Sequence, residues 1–304
     1  MLTHLSRRGL AAVVVLGAAG VVVVPAAVFA WGDAGHRITG EAAARALPPS
    51  APAFLRNAAR QLAYLNPEPD RWRDRTESTI DPALDRATAP EHFIDMELVP
   101  PAALAGALRA RDRFAFLDTI AAAGAKGSVM GLLPFKMLEM SEQLRIDFRN
   151  WRAAPDSLKP WIEQRIIDDA GILGHYVADG SNPLHTTVHY NGWTGANPNG
   201  YATDTRTHAR FESNYVSANI KLADVTSRMD TVARVFPDMR AAIIDYLRES
   251  NAHVEELYRL DKAHTFDATT TAPEDKAFVV DRLAAGARML RDLWWTAWVT
   301  SAPR

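Results

Sequence analysis

"SLKPWIEQRIIDDAGILGHYVA", residues 157–178, decides the fold. Trp161, Ile162, Ile166, Ala170 and Leu173 recur at helical spacing, which predicts one long helix with a buried stripe. Upstream, "GHRITGEAAARAL" (35–47) is Ala-rich, with Ile38, Ala42 and Leu47 on a common face, and "PPSAP" ends it. A second helix is expected over 53–65. Residues 66–95, rich in Pro, Asp and Arg, read as loop with short turns. Helices are expected over 102–124 and 132–149. The stretch "TTVHYNGWTGANPNGYATD" (186–204) supports neither helix nor strand. Helical patterns resume over 205–260. The last helix opens with "TAPE", a capping-box pattern with Thr271 as cap and Glu274 returning to it, and carries Val279, Leu283, Leu290 and Leu293 as its stripe. No alternation marks a strand. The expected fold is an all-α helical bundle with long loops.

The chain has 304 residues, 48% hydrophobic and 23% charged, enough to bury a sizeable core. Residues 1–30 differ from the rest. Arg7 and Arg8 precede an apolar run from Gly9 to Ala30, and Val28 and Ala30 suit a signal-peptidase site. We expect a signal peptide at 1–30, cut after Ala30, and a single helical domain at 31–304. Secretion or export to the periplasm would follow. An uncleaved anchor is the alternative, and "SRRGL" resembles a twin-arginine signal. Losing residues 1–30 removes two arginines and no acid from a chain of formal charge −2. So acidic a protein has no overall electrostatic hold on nucleic acid, and an anionic substrate needs a local attractor. There is no cysteine. Disulfides and thiolate zinc fingers are excluded, and any metal must be held by His, Asp, Glu and backbone atoms.

The strongest local pattern is "GHYVADGSNPLH" (174–185). His175 and Asp179 are i and i+4, so a helix puts them on one face. His185 follows a Gly-Ser-Asn-Pro turn. Alone, this stretch fits either a metal site or a structural His–Asp pair beside a surface His. "HARFE" repeats the i, i+4 spacing with His208 and Glu212. His92 sits in "EHFIDME" and Asp74 in "DRWRDR", each ordinary when taken alone.

The order of these pieces changes their weight. Trp31 in "WGDAGH", with His36, is followed by "WRD", "HFID", "HxxxD", "PLH" and "HxxxE". From Trp31 to about Asn219 the chain resembles the zinc-dependent phospholipase C and single-strand-specific zinc nuclease superfamily. The resemblance implies a mostly helical hydrolase with three zinc ions in a cleft. It would give one ion Asp74, His92, His175 and Asp179. A second would take the freed α-amino nitrogen and carbonyl oxygen of Trp31, with His36 and the shared Asp179. The third would take His185, His208 and Glu212. Asp74 and Asp179 would be the catalytic carboxylates, acting with metal-activated water on a phosphodiester. Asp95, Asp168 and Asp169 are candidate supports for the ligands.

The substrate features diverge. "WGDAGH" looks nuclease-like, whereas "HYVADGSNPLH" and Glu212 look like phospholipase C. The nucleases place an arginine three residues after the first ligand aspartate, and Glu77 stands three after Asp74. Tyr190, Trp193 and Tyr201 can stack bases, meet a lipid, or pack their loop onto the body. Most of "VMGLLPFKML" (129–138) is expected in the core, with part free to meet a membrane. The expected activity is a phospholipase C-like phosphodiesterase. A zinc endonuclease on single-stranded DNA or RNA is the alternative. No obligate protein partner is inferred. A metal-binding or helical interaction protein without turnover is the alternative of a different class.

Overall fold

A computed structural model describes residues 31–98 and 111–303. The expected signal peptide therefore lies outside the described residues, as does much of the predicted 102–124 helix. Among the described residues the fold is all-α, with two isolated β-bridges, Ile94–Gly131 and Tyr190–Gly192, and no sheet. No described helix is long and apolar enough to cross a membrane.

The chain runs through α1 (Gly32–Arg45), α2 (Ala53–Asn57), α3 (Ala59–Leu65), α4 (Glu68–Arg71), α5 (Arg75–Ile80) and α6 (Ala83–Thr88). Two 3₁₀ turns follow, Ala89–His92 and Met96–Leu98. Then come α7 (Arg113–Ala122), α8 (Gly127–Met130), α9 (Leu133–Ala153) and α10 (Lys159–Ser181). After a 3₁₀ turn at Pro183–His185 and a long loop, α11 (Thr207–Ala209) passes through a π-helical turn (Arg210–Tyr215) into α12 (Val216–Asn219). The remainder is α13 (Leu222–Thr226), α14 (Met239–Ala252), α15 (Val254–His264) and α16 (Pro273–Thr300).

The long helix predicted from the opening stretch is α10. It packs against α1, α3, α9 and α16. Ile166, Ala170 and Leu173 are fully buried, but Trp161 is 73% exposed. Its first turn projects beyond the core, so helical spacing alone misassigned that residue. Val279, Leu283, Leu290 and Leu293 are fully buried along α16.

Four boundaries differ from the sequence reading. The predicted 53–65 helix breaks at Ala58 into α2 and α3. Residues 66–95 are built of short helices, not open loop. The predicted 205–260 helical run is interrupted between α13 and α14. The "TAPE" box does not form. Ala272 caps α16 without a side-chain bond, and Glu274 faces His264 instead, 3.5 Å away.

Candidate metal centre

Five elements bring the predicted histidines together. His36 lies on α1, His92 at the end of a 3₁₀ turn, and His175 and Asp179 one turn apart on α10. Asn182 then makes the turn after α10. Its Oδ1 accepts from the Leu184 N–H at 3.0 Å, which directs the chain into the 3₁₀ turn that ends at His185. The segment Thr207–Tyr215 supplies His208 and Glu212, with Glu212 inside the π turn. π turns are rare and often mark functional positions.

The donors form three linked triads: His36, His175 and Asp179; Asp70, His92 and His175; and His185, His208 and Glu212. Within the first two, His36 Nε2 is 3.5 Å from Asp179 Oδ1, and His92 Nδ1 is 3.1 Å from Asp179 Oδ2. His175 Nε2 is 3.3 Å from Asp179 Oδ2 and 3.8 Å from Asp70 Oδ1. In the third, His208 Nε2 is 2.7 Å and His185 Nε2 3.7 Å from Glu212 Oε2. His185 Nδ1 lies 3.9 Å from Asp179 Oδ1, so Asp179 stands between all three groups.

One placement corrects the sequence reading. Asp74 is not in the cluster. It is exposed, and its side chain caps α5 by accepting from the Glu77 N–H at 2.9 Å. Asp70, one helical turn earlier, is 3% exposed and takes the inward position. Asp70 and Asp74 are four residues apart, but the chain leaves α4 between them. Trp31 keeps a place beside the cluster. It is fully buried, with its indole N–H donating to the Ala178 carbonyl at 2.7 Å. Its main-chain N–H donates to Glu212 Oε2 at 3.0 Å, beside the third triad and not the first. Its φ of 40° is left-handed.

Burial dominates the electrostatics of the cluster. Burial, then the Glu212 charge, pushes the Asp70 carboxyl well above its ordinary range. Burial and the Asp70 and Glu212 charges do the same to Asp179. Burial raises Glu212 to about 7. Burial lowers His92, His175 and His185, and takes His208 to about 4. Asp70 Oδ1, Asp179 Oδ1 and Glu212 Oε1 are buried without a hydrogen-bond partner. Uncompensated buried carboxylates are costly, and cations among them reverse that cost. The donor set, imidazole and carboxylate without thiolate, fits a borderline ion such as zinc. These clusters can therefore hold metal ions.

A cavity of about 550 Å³ opens beside the cluster, lined by Arg73, Phe93, Asp95, Val129, Tyr190 and Asn191 together with His92, His185 and His208. The Arg73 charge acts on Asp70, Asp179, His92 and His208. Asp95 on the wall is raised to about 7 by burial and Glu97. A larger cavity of about 760 Å³, between α9, α14 and the end of α16, contains none of the clustered residues.

Several loop residues resolve differently. Of the three aromatics, Tyr190 faces the cavity. Trp193 and Tyr201 pack on one another and on Tyr258 of α15. Asp168 and Asp169 do not support the cluster. They accept from Gln164 at 2.9 Å and Gln143 at 3.2 Å. Most of "VMGLLPFKML" is core, with Val129 53% exposed at the cavity.

Comparison with protein-family models, with curated proteins and with solved structures gave no match. The functional reading rests on the site itself.

Proposed function

We propose that the chain is a metal-dependent phosphodiesterase, with zinc as its ion. The observation that carries this reading is the nesting of three buried His/carboxylate triads around Asp179 beside an open cavity that also contains Arg73. His36, His92, His175, His185, His208, Asp70, Asp179 and Glu212 would hold the ions, which when bound would supply Lewis acidity and lower the pKa of water. The side chains do the rest. Asp179, facing all three groups, and Asp70 would hold the ions beside the cavity. Arg73 offers its guanidinium to a non-bridging phosphate oxygen. Asp95 retains a proton up to about pH 7 and can give it to a leaving oxygen. Asp70 takes over the role expected of Asp74.

That register change bears on the substrate. Counted from Asp70, the arginine three residues on is Arg73, the nuclease-like spacing, and Arg73 faces the cavity. Phe93 and Tyr190 on the walls suit a base ring. We therefore take single-stranded nucleic acid as the leading substrate. Glu212 keeps phospholipid as the second reading, since glutamate closes that motif in phospholipase C-like chains. The test incubates the full chain, and a form beginning at Trp31, with single-stranded DNA, RNA and phosphatidylcholine vesicles. Chelator and added zinc are the controls. Strand cleavage abolished by chelator and restored by zinc is expected. Zinc-loaded protein inert on every phosphoester would overturn the enzymatic reading and leave a metal-binding protein.

A further inference from the structure

Asn66 was not singled out by any sequence pattern. It is fully buried where α3 ends, just before Pro67. It reaches two of the clustered imidazoles with two different oxygens. Its side-chain Oδ1 is 3.0 Å from His36 Nδ1, and its main-chain oxygen is 2.9 Å from His175 Nδ1. The two rings stack, with centroids 4.0 Å apart and planes 13° from parallel.

The chemistry follows from the atoms. A carbonyl oxygen only accepts, so each ring meets Asn66 with a protonated Nδ1. A neutral imidazole has one N–H, so the lone pair of each is on Nε2. Those two Nε2 atoms face Asp179, at 3.5 Å from Oδ1 for His36 and 3.3 Å from Oδ2 for His175. One residue thus sets the tautomer and tilt of two donors on the two sides of one carboxylate.

The fold makes room for it deliberately. A Cβ on Gly40 of α1 would lie 2.8 Å from Asn66 Nδ2, and one on Gly174 of α10 would lie 2.2 Å from it. Two helices open a slot at those glycines, and the amide fills it.

We propose that Asn66 is the positioning residue of the metal centre, fixing His36 and His175 as Nε2 donors toward Asp179. It acts through the histidines and is not part of the cavity wall. This rests on the reading that the centre holds cations. Partners of this kind on ligating histidines are worth roughly 10–100-fold in metal affinity.

The experiment compares the full chain with Asn66→Asp and Asn66→Leu. Aspartate keeps the acceptor and the shape. Leucine keeps the volume and removes the side-chain acceptor, while the main-chain oxygen stays. Two quantities are read: zinc affinity by chelator competition, and ring tautomers by long-range ¹⁵N–¹H spectra of the metal-free protein. Asn66→Leu is expected to bind zinc at least 10-fold more weakly and to move the His36 proton off Nδ1, leaving His175 unchanged. Asn66→Asp is expected to keep wild-type affinity and the Nδ1–H form of His36. Wild-type affinity and an unchanged His36 tautomer in Asn66→Leu would overturn the proposal. Where the leucine variant does not fold, a folded Asn66→Asp that loses zinc or the Nδ1–H form overturns it, because the amide would then have been donating. A wild-type chain that binds no zinc would refute the metal reading, and the tautomer spectra would still decide the role of Asn66.

Discussion

At the scale of single residues, the decisive pair is Asp70 and Asp74. The sequence "DRWRDR" presents both, and only the arginine three residues after Asp70 favours it over Asp74. The distinction arises from where α4 stops. Asp70 is inside that helix and turned inward, whereas Asp74 begins the next one. Asp70→Asn should lower zinc affinity by at least the roughly 10–100-fold that loss of a partner behind a ligand costs. Asp74→Ala should leave zinc affinity unchanged and cost only a cap, about 1 kcal/mol. Chelator competition on both variants checks this, and the reverse ranking would restore Asp74 to the centre. The remaining histidines were legible because their spacing is local: His175 with Asp179 and His208 with Glu212 each need only one helical turn. Asn66 was not legible, because its role depends on α1 and α10 approaching α3 at two glycines. Arg73 was visible as a flanking charge, but its spacing has meaning only once Asp70 is the reference.

At the scale of elements, α9 and α10 form an extensive helix pair, and a carboxyl pair lies between them. Burial, the hydrogen bond that protonated Asp169 donates to the Asp147 carboxylate, and the Asp147 charge raise Asp169 to about 7. Asp147 meets Arg165 at 2.7 Å. The folded chain thus binds more protons at Asp169 than the unfolded chain between about pH 4 and 7. The stabilising contribution is full below the unfolded pKa and is lost as pH rises through about 7. Asp169→Asn should therefore have a higher Tm than the parent chain at pH 8, with the gap closing toward pH 4. A gap independent of pH would contradict this. The long helices α9, α10 and α16 were readable from apolar spacing, since each buries a continuous stripe. Short elements were not. The helices α4 to α6 lie in a Pro- and Asp-rich stretch where a single turn carries no periodic signal. The "TAPE" pattern failed because Glu274 has a competing partner in His264 from the preceding helix.

At the scale of the whole molecule, three carboxylates and five imidazoles are buried in one region. Such a centre should couple metal binding to folding. Zinc at about 100 times its Kd would stabilise the fold by about 2.7 kcal/mol for a single site, and more for several. Calorimetry should show Tm rising by several degrees with zinc and falling with chelator, and an unchanged Tm would count against occupied sites. The all-α class was legible throughout because helical spacing recurs along most of the chain. The convergence of α1, α4, α10 and the segment 207–215 on Asp179 was not, since no local pattern specifies long-range packing. Motif order carried that information instead.

The central claim is that cations occupy the cage around Asp179. Anomalous diffraction at the zinc absorption edge, on crystals of zinc-loaded protein, tests it most directly. Three peaks are predicted: one beside His36 and Asp179, one between Asp70, His92 and His175, and one between His185, His208 and Glu212. An interior without peaks, the same side chains linked only by hydrogen bonds, would contradict it.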